Sequence, residues 1–286
     1  MTTRFRTWVL IAGLSGLFVT LGAVVGGAAG LIVFLLLALA FNFVMFWFSD
    51  RIALRVSRAR PLERSEAPDV YADVEDLAGR AGLPVPRLYL IPSEQPNAFA
   101  TGRSPKRSAV AVTEGLVRLL PRDQVRGVIA HELAHVKNRD VLVTTVAAMI
   151  GAAIAAIANF LQFSWLFGGG DGDESPLGLV GTMAAILVAP IAAMILQLAV
   201  SRQREYLADA TAAELLGEAR PLADALDSLH RGVQAVPMAV NPATASLYIA
   251  NPLSGAGVGA LFSTHPPMAK RVERLREIDR RAGNAW

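Results

Sequence analysis

Residues 131–135 read His-Glu-Leu-Ala-His, two histidines four apart with a glutamate next to the first, in a chain of 286 residues that has 4 histidines in all. On a helix, residues i and i+4 sit one above the other on the same face, so the imidazoles of His131 and His135 converge on one point where a zinc ion fits. Glu132 is then beside the metal but rotated off the ligand face. A general base belongs there if it is to take a proton from water at the metal without occupying the metal itself. The plainer alternative, two surface histidines with a solvated glutamate between them, is disfavoured by the surroundings. Leu119, Leu120, Val125, Val128, Ile129, Leu133 and Val136 are spaced as the apolar face of a helix. Pro121 suits its first position, and Asp123 suits the positive end of its dipole.

Two histidines do not complete a catalytic zinc site, which takes three protein ligands plus water. The best third candidate is Glu205, in Ser201-Arg-Gln-Arg-Glu-Tyr-Leu-Ala-Asp209, where Glu205 and Asp209 form a second i, i+4 pair on one helix face. Asp209 could accept the spare N–H of a ligand histidine and so orient the ring. Ordinary ion pairs with Arg202 or Arg204 are the alternative for both carboxylates. His265, in Ser263-Thr-His-Pro-Pro267, has three open roles: a helix-capping element, an oxyanion donor, or a resting-state fourth ligand.

The elements that must bring these residues together are set by hydrophobic runs. The chain is 53% hydrophobic with a positive mean hydropathy, too apolar for an ordinary soluble domain. From Thr7 to Ser49 no residue is charged, and Gly26-Gly27-Ala28-Ala29-Gly30 interrupts the run. Its length suits two spans, about 8–25 and 30–48, joined by a tight turn. It far exceeds the core of a cleaved signal peptide. A second uncharged pair, about 141–167 and 177–200, flanks the polar loop 168–176. The expected organisation is therefore a transmembrane hairpin over 1–50 and a first peptidase part over 51–140. A second hairpin over 141–200 and a second peptidase part over 201–286 follow. A hairpin that leaves and returns to the same membrane side explains why 69 residues separate His135 from Glu205.

Charge placement sets an expected orientation. Arg4, Arg6, Arg51, Arg55, Arg58, Arg60, Lys137, Arg139, Arg202 and Arg204 flank the spans, while the connecting loops hold no Lys or Arg. The positive-inside rule then puts both termini and the peptidase domain on the cytoplasmic side of a multi-pass cell (inner) membrane protein. The absence of cysteine agrees with a compartment without disulfides. A pI near 9.6 calls for no nucleic-acid partner, because much of the surplus arginine lies where anionic lipid headgroups attract it.

Four motifs together carry a family resemblance. His131-Glu-Leu-Ala-His-Val-Lys-Asn-Arg-Asp140, Arg202-Gln-Arg-Glu-Tyr-Leu-Ala-Asp209, Pro96-Asn-Ala-Phe-Ala100 and Thr264-His-Pro266 look like those of the HtpX family of membrane-bound zinc metallopeptidases, relatives of the type I CAAX prenyl proteases. The resemblance covers nearly the whole chain. It implies a gluzincin-like endopeptidase with His131, His135 and Glu205 as ligands of one Zn²⁺ per chain and Glu132 as base. It also implies polypeptide substrates, among them misfolded membrane proteins, and a role in their quality control. Asn97, Ala98, Phe99 and Ala100 resemble the family's edge strand, where main-chain pairing holds an extended substrate. A place for Phe99 in the core is the alternative.

The fold class expected is a mainly α membrane protein, two transmembrane helical hairpins plus an α+β gluzincin-like domain with a small antiparallel sheet. Helices are predicted over 69–82, 201–217 and 221–230, the last with a structural His230 at its end before Gly232. Short strands are predicted at 87–91, around 97–101 and at 108–113, with 102–107 as a hairpin turn. Residues 232–262 read as a mobile cover over the cleft or a surface excursion, and Met268, Val272, Leu275 and Ile278 as the apolar face of a last helix. The rival function is an inactive membrane scaffold or substrate-holding factor with a structural metal site. Glu132 beside the metal is a residue such a site does not require. An intramembrane peptidase is disfavoured, because Lys137, Arg139, Asp140, Arg202 and Arg204 put the ligand helices at the aqueous boundary.

Overall fold

A computed structural model describes residues 3–150, 202–238, 240, 244–252 and 266–283. The first element, α1 (Thr3–Val56), carries the apolar N-terminal run. Its segment Gly27–Val56 is long and apolar enough to cross a membrane; at 1.5 Å per residue it reaches about 45 Å, more than the roughly 30 Å hydrocarbon layer. Leu31, Ile32, Val33, Leu36, Leu39 and Phe43 along it are exposed to the surroundings. The sequence predicts a turn at 26–30. Helical bonding instead runs through these residues, and the departure from regular dihedrals is at Gly27, with φ of 57°. Glycine permits that left-handed backbone, and alanine at 28 and 29 favours helix, so the segment does not force a separate loop.

After α1 the chain forms β1 (Arg60–Pro61), α2 (Pro68–Ala81), β2 (Arg87–Ile91), β3 (Ala98–Gly102) and β4 (Ser108–Thr113). The strands form one sheet in the order β1-β2-β4-β3. This corrects the antiparallel expectation: β3 and β4 are an antiparallel hairpin, but β2 pairs with β4 in parallel. Strand directions alternate along the chain as a meander would have them. The link 92–97, however, carries β3 past β4, so two strands of the same direction become neighbours and β3 takes the edge. Period-2 alternation then buries both sheet faces. Leu88, Leu90, Ala98, Ala100, Val110 and Val112 face the main core. Ile91, Phe99, Ala109 and Ala111 pack with Ala53 and Leu54 of α1 and with Met149, Leu247 and Tyr248.

Two helices follow the sheet: the short α3 (Glu114–Leu119), whose first turn is capped by the Thr113 hydroxyl, and the 17-residue α4 (Arg122–Asn138), which carries the histidine motif. α5 is described over Val141–Ile150. The rest of the expected second hairpin, 151–200, lies outside the described residues. α6 (Arg202–Leu216), α7 (Arg220–Ala235) and α8 (Met268–Ala282) complete the domain. α4 is central, packed on α2, α6, α7 and β3. Its Gly127 makes the α7 contact possible, since a Cβ there would lie 2.7 Å from the Leu222 amide nitrogen.

α7 runs past the predicted end. Gly232 does not terminate it; a Cβ at 232 would lie 2.3 Å from Cγ of Pro96, so this glycine serves close packing inside a continuing helix. His230 is accordingly an exposed residue within α7 rather than at its end, with Gln234 Nε2 3.2 Å from its Nε2.

Candidate active site

α4 and α6 bring the two i, i+4 pairs face to face. His131, His135 and Glu205 each offer one ligand atom, and these atoms all lie within 4.8 Å of one another. The Nε2 atoms of His131 and His135 are 3.1 Å apart, and Glu205 oxygens approach them at 3.6 and 3.7 Å. Both rings are held by carboxylates on the opposite nitrogen. Asp209 Oδ1 is 3.0 Å from Nδ1 of His131, and both oxygens of Asp140 are 3.1 Å from Nδ1 of His135. An Nδ1–H donated to a carboxylate fixes the tautomer that leaves Nε2 with its lone pair toward the shared centre.

Asp140 reaches His135 through a local reversal of the chain. Arg139 caps α4 with φ of 59° and ψ of 33°, left-handed for a residue that carries a side chain, and its amide bonds the carbonyls of His135 and Val136. The next residue therefore folds back over the last turn. Sequence alone assigns Asp140 only to the membrane boundary. An acid five residues after a histidine has no helical periodicity to mark it, because the contact depends on the terminal αL residue.

Arg271 is the second residue that sequence reasoning misses. It is fully buried, and among the described residues it is the one Lys or Arg in the buried class. Its Nε donates to Asp209 Oδ2 at 2.9 Å and its Nη2 to Oδ1 at 2.7 Å, a two-pronged pair. Nη1 donates to the Ile249 carbonyl at 3.2 Å and lies 3.8 Å from Glu205 Oε2, while Nη2 is 3.3 Å from Nε2 of His131. A faint signal exists in the sequence. Arg271 lies three residues after Met268 and four before Leu275, on the apolar face of α8, where an arginine needs a buried partner.

Burial and neighbours move the ionisable groups in consistent directions. Burial pushes the Glu132 carboxyl above the usual range, and the opposing influence of His131 and His135 does not cancel it. Burial opposes charge on His135, yet the Asp140 and Glu205 carboxylates outweigh it and lift the imidazole to about 10. Burial would raise Asp209, but the Arg271 guanidinium beside it holds it below the ordinary value.

The donor chemistry suits a divalent cation. Two imidazole nitrogens and one carboxylate face a common point, and among the described residues the carboxylates of Glu132, Asp140, Glu205 and Asp209 are all buried around it, with the Arg271 guanidinium paired to Asp209. A bound dication would offset this excess of buried negative charge. A cavity of about 20 Å³ lies among Ala100, His131, Glu132, His135, Glu205, Ser246, Leu247 and Ile249, room for one small ion or water and not for a peptide.

The edge-strand residues have divided positions. Ala100 lines the cavity, and its backbone amide bonds the Glu132 carboxylate. Asn97 turns its side chain to the backbone of Ala250, the Ala98 carbonyl accepts the Ile249 amide at 3.0 Å, and Phe99 is fully buried against the Tyr248 ring at 5.1 Å. Part of the expected cover, the 3₁₀ turn Ala245–Leu247 and the residues after it, thus lies along β3 at the cavity. His265 lies outside the described residues.

Known proteins share both the sequence and the fold that carry this geometry. Residues 64–279 match the model of peptidase family M48. The chain is 50% identical over 274 residues to a protease HtpX homolog of Pelotomaculum thermopropionicum, covering 95% of this chain and 98% of that one. It is 49% identical over 274 residues to a protease HtpX homolog of Pyrococcus furiosus, covering 96% and 95%. Among solved structures, S. mikatae Ste24p shares the fold with a TM-score of 0.50 at 22% identity, and the likeness covers 95% of this chain and 64% of that one.

Proposed function

The chain belongs to peptidase family M48 and is a metalloprotease, and from this premise we propose a membrane-anchored zinc endopeptidase that cleaves polypeptides at the cytoplasmic membrane face. One observation carries the reading: His131, His135 and Glu205 meet at one point, each histidine steadied by its own carboxylate, with Glu132 adjacent. His131, His135 and Glu205 hold the metal in this reading. When bound, zinc supplies Lewis acidity that polarises a scissile carbonyl and brings water near neutral pKa.

The residues of the chain do the rest. Glu132 takes the proton of the attacking water on its carboxylate and returns it to the departing amine. The Ala100 amide fixes the carboxylate and ties its place to β3. Asp209 and Asp140 keep the rings from turning, and Arg271 keeps Asp209 in place. An extended substrate adds along the outer edge of β3 through main-chain bonds. It takes the place at Ala98 that Ile249 occupies, so Ser246–Ile249 withdraw as it enters.

The membrane arrangement in this proposal has two hairpins, 1–50 and 141–200, with the peptidase parts 51–140 and 201–286 meeting on the cytoplasmic side. The exposed apolar length of Gly27–Val56 supports one span of the first of them. Quality control of misfolded membrane proteins is the assigned role, with the unfolded segments of such proteins as substrates. The test uses the purified full chain, with and without added zinc, on casein and on an unfolded membrane protein. Zinc-dependent cleavage of both is expected. Stoichiometric zinc without cleavage would leave the inactive scaffold.

A further inference from the structure

The β3–β4 turn, residues 103–107, separates two cavities beside the end of α1. The smaller, about 250 Å³, is lined by Arg51, Arg103, Lys106 and Arg107, with Trp47 and the Arg87–Asp50 pair completing its wall. On the other side of the turn, a cavity of about 530 Å³ has Leu83, Val136, Val141 and Leu142 in its lining and Arg103, Lys106, Lys137 and Arg139 as its cations. Among the described residues, Asp50 is the one acid lining either cavity, and Arg87 lies 3.3 Å from it. Most of this positive charge therefore has no anion within its own cavity wall.

The position of the cluster indicates which anion it meets. Trp47 closes the apolar part of α1, and Arg103 lays its guanidinium 3.9 Å from the Trp47 ring centroid while reaching the Trp47 carbonyl at 3.4 Å. An indole at the end of an apolar span marks headgroup depth, where an amphipathic ring is stable. Arginine and lysine at that depth are each attracted by an anionic lipid surface, and a concave guanidinium site matches phosphate oxygens better than a flat patch. Free inorganic phosphate offers the same oxygens, but it does not explain the tryptophan or the apolar floor of the larger cavity.

We propose that the cleft between the end of α1 and the β3–β4 turn binds the phosphate headgroup of an anionic phospholipid, with Arg51, Arg103, Lys106 and Arg107 as its ligands and Trp47 at the interface. The proposal rests on the membrane-anchored reading. Its consequence is positional, because the turn that holds the headgroup ends β3, the strand whose Ala100 lines the metal cavity. Lipid binding thereby fixes the height of the cleft above the bilayer.

The test places the full chain in phosphatidylcholine vesicles with and without phosphatidylglycerol, with flotation to score insertion and native mass spectrometry to count retained lipid. Phosphatidylglycerol should be retained over phosphatidylcholine, and excess inorganic phosphate should not displace it. The triple variant Arg103→Gln, Lys106→Gln, Arg107→Gln should reduce that retention by on the order of tenfold or more. The milder pair Lys106→Gln, Arg107→Gln leaves the Arg103–Trp47 contact in place and should reduce it less. Casein hydrolysis in detergent should be unchanged in both. Equal retention of the two lipids, full retention by both variants, or displacement by phosphate would overturn the lipid assignment, the last pointing to a free-anion site. A chain that fails to float would overturn the membrane reading as well, whereas one that floats without headgroup preference sinks the lipid site alone.

Discussion

Arg271 of α8 and Asp209 of α6 form a two-pronged, fully buried pair, 2.9 and 2.7 Å between their heavy atoms, and the same Asp209 oxygen that receives Nη2 lies 3.0 Å from Nδ1 of His131. The pair links the last helix to the metal-facing histidine through one carboxylate. Arg271→Gln leaves Asp209 buried without its cation, and breaking one side of a buried pair costs about 3–5 kcal/mol. Both thermal stability and zinc retention should fall. Calorimetry together with chelator competition checks this; a variant that loses stability yet holds zinc as the parent does would limit Arg271 to a packing role.

Asp140→Asn and Asp209→Asn should each weaken zinc by about 10–100-fold, because an amide in place of the carboxylate no longer fixes the ring tautomer as firmly. The histidine contacts match at 3.1 and 3.0 Å, but Asp209→Asn should also lower Tm, because it takes the anion from the buried Arg271. Competition with a fluorescent chelator measures both. Parent-like affinity in Asp140→Asn would show that the αL reversal at Arg139 positions nothing the metal needs.

Glu132→Gln should keep zinc and lose hydrolysis by about 10²–10⁴-fold, since an amide of the same shape cannot take up the proton. Casein turnover at equal zinc content decides the matter. Activity near that of the parent would remove Glu132 from the base role.

Gly127→Ala should destabilise the domain by about 1–3 kcal/mol, because the new methyl meets backbone that cannot rotate away. The nearest atom is the Leu222 amide nitrogen, 2.7 Å from where that methyl carbon would stand. A lowered Tm with intact zinc stoichiometry in the surviving folded fraction is the expected result. An unchanged Tm would mean that α7 shifts freely against the metal helix.

The α2–α4 contact predicts a pH dependence. Arg126 bonds Asp76 and holds its carboxyl below the ordinary value. A depressed folded pKa contributes stability that is fully present above the unfolded value, about 3.9, and is lost as pH falls through the lower folded value. Asp76→Asn should therefore flatten the acid side of the Tm–pH curve below about pH 4 and lower Tm only slightly at neutral pH, as expected for a half-exposed pair. A Tm–pH curve identical to the parent's would show that the pair adds nothing to the fold.

The sequence by itself determined the local elements and the chemistry they carry. The i, i+4 spacings of His131 with His135 and of Glu205 with Asp209 follow from helical periodicity alone, as do the apolar run of α1 and the αL stop at Gly82, which ends α2 with φ of 67°. Tertiary structure decided what periodicity does not encode. Whether β4 lies beside β2 or beyond β3 depends on which edge the 92–97 link crosses, and strand direction alone leaves that open. Gly232 reads locally as a helix stop, yet the nearness of Pro96 makes it a packing residue within α7. Arg271 and Asp140 entered the site for the same reason: a buried charge is stable only against a partner, and that partner was brought near by the fold from another helix or by a single left-handed residue. Spacing along the chain fixes which face a side chain takes, while the long-range packing of α4, α6 and α8 fixes what that face meets.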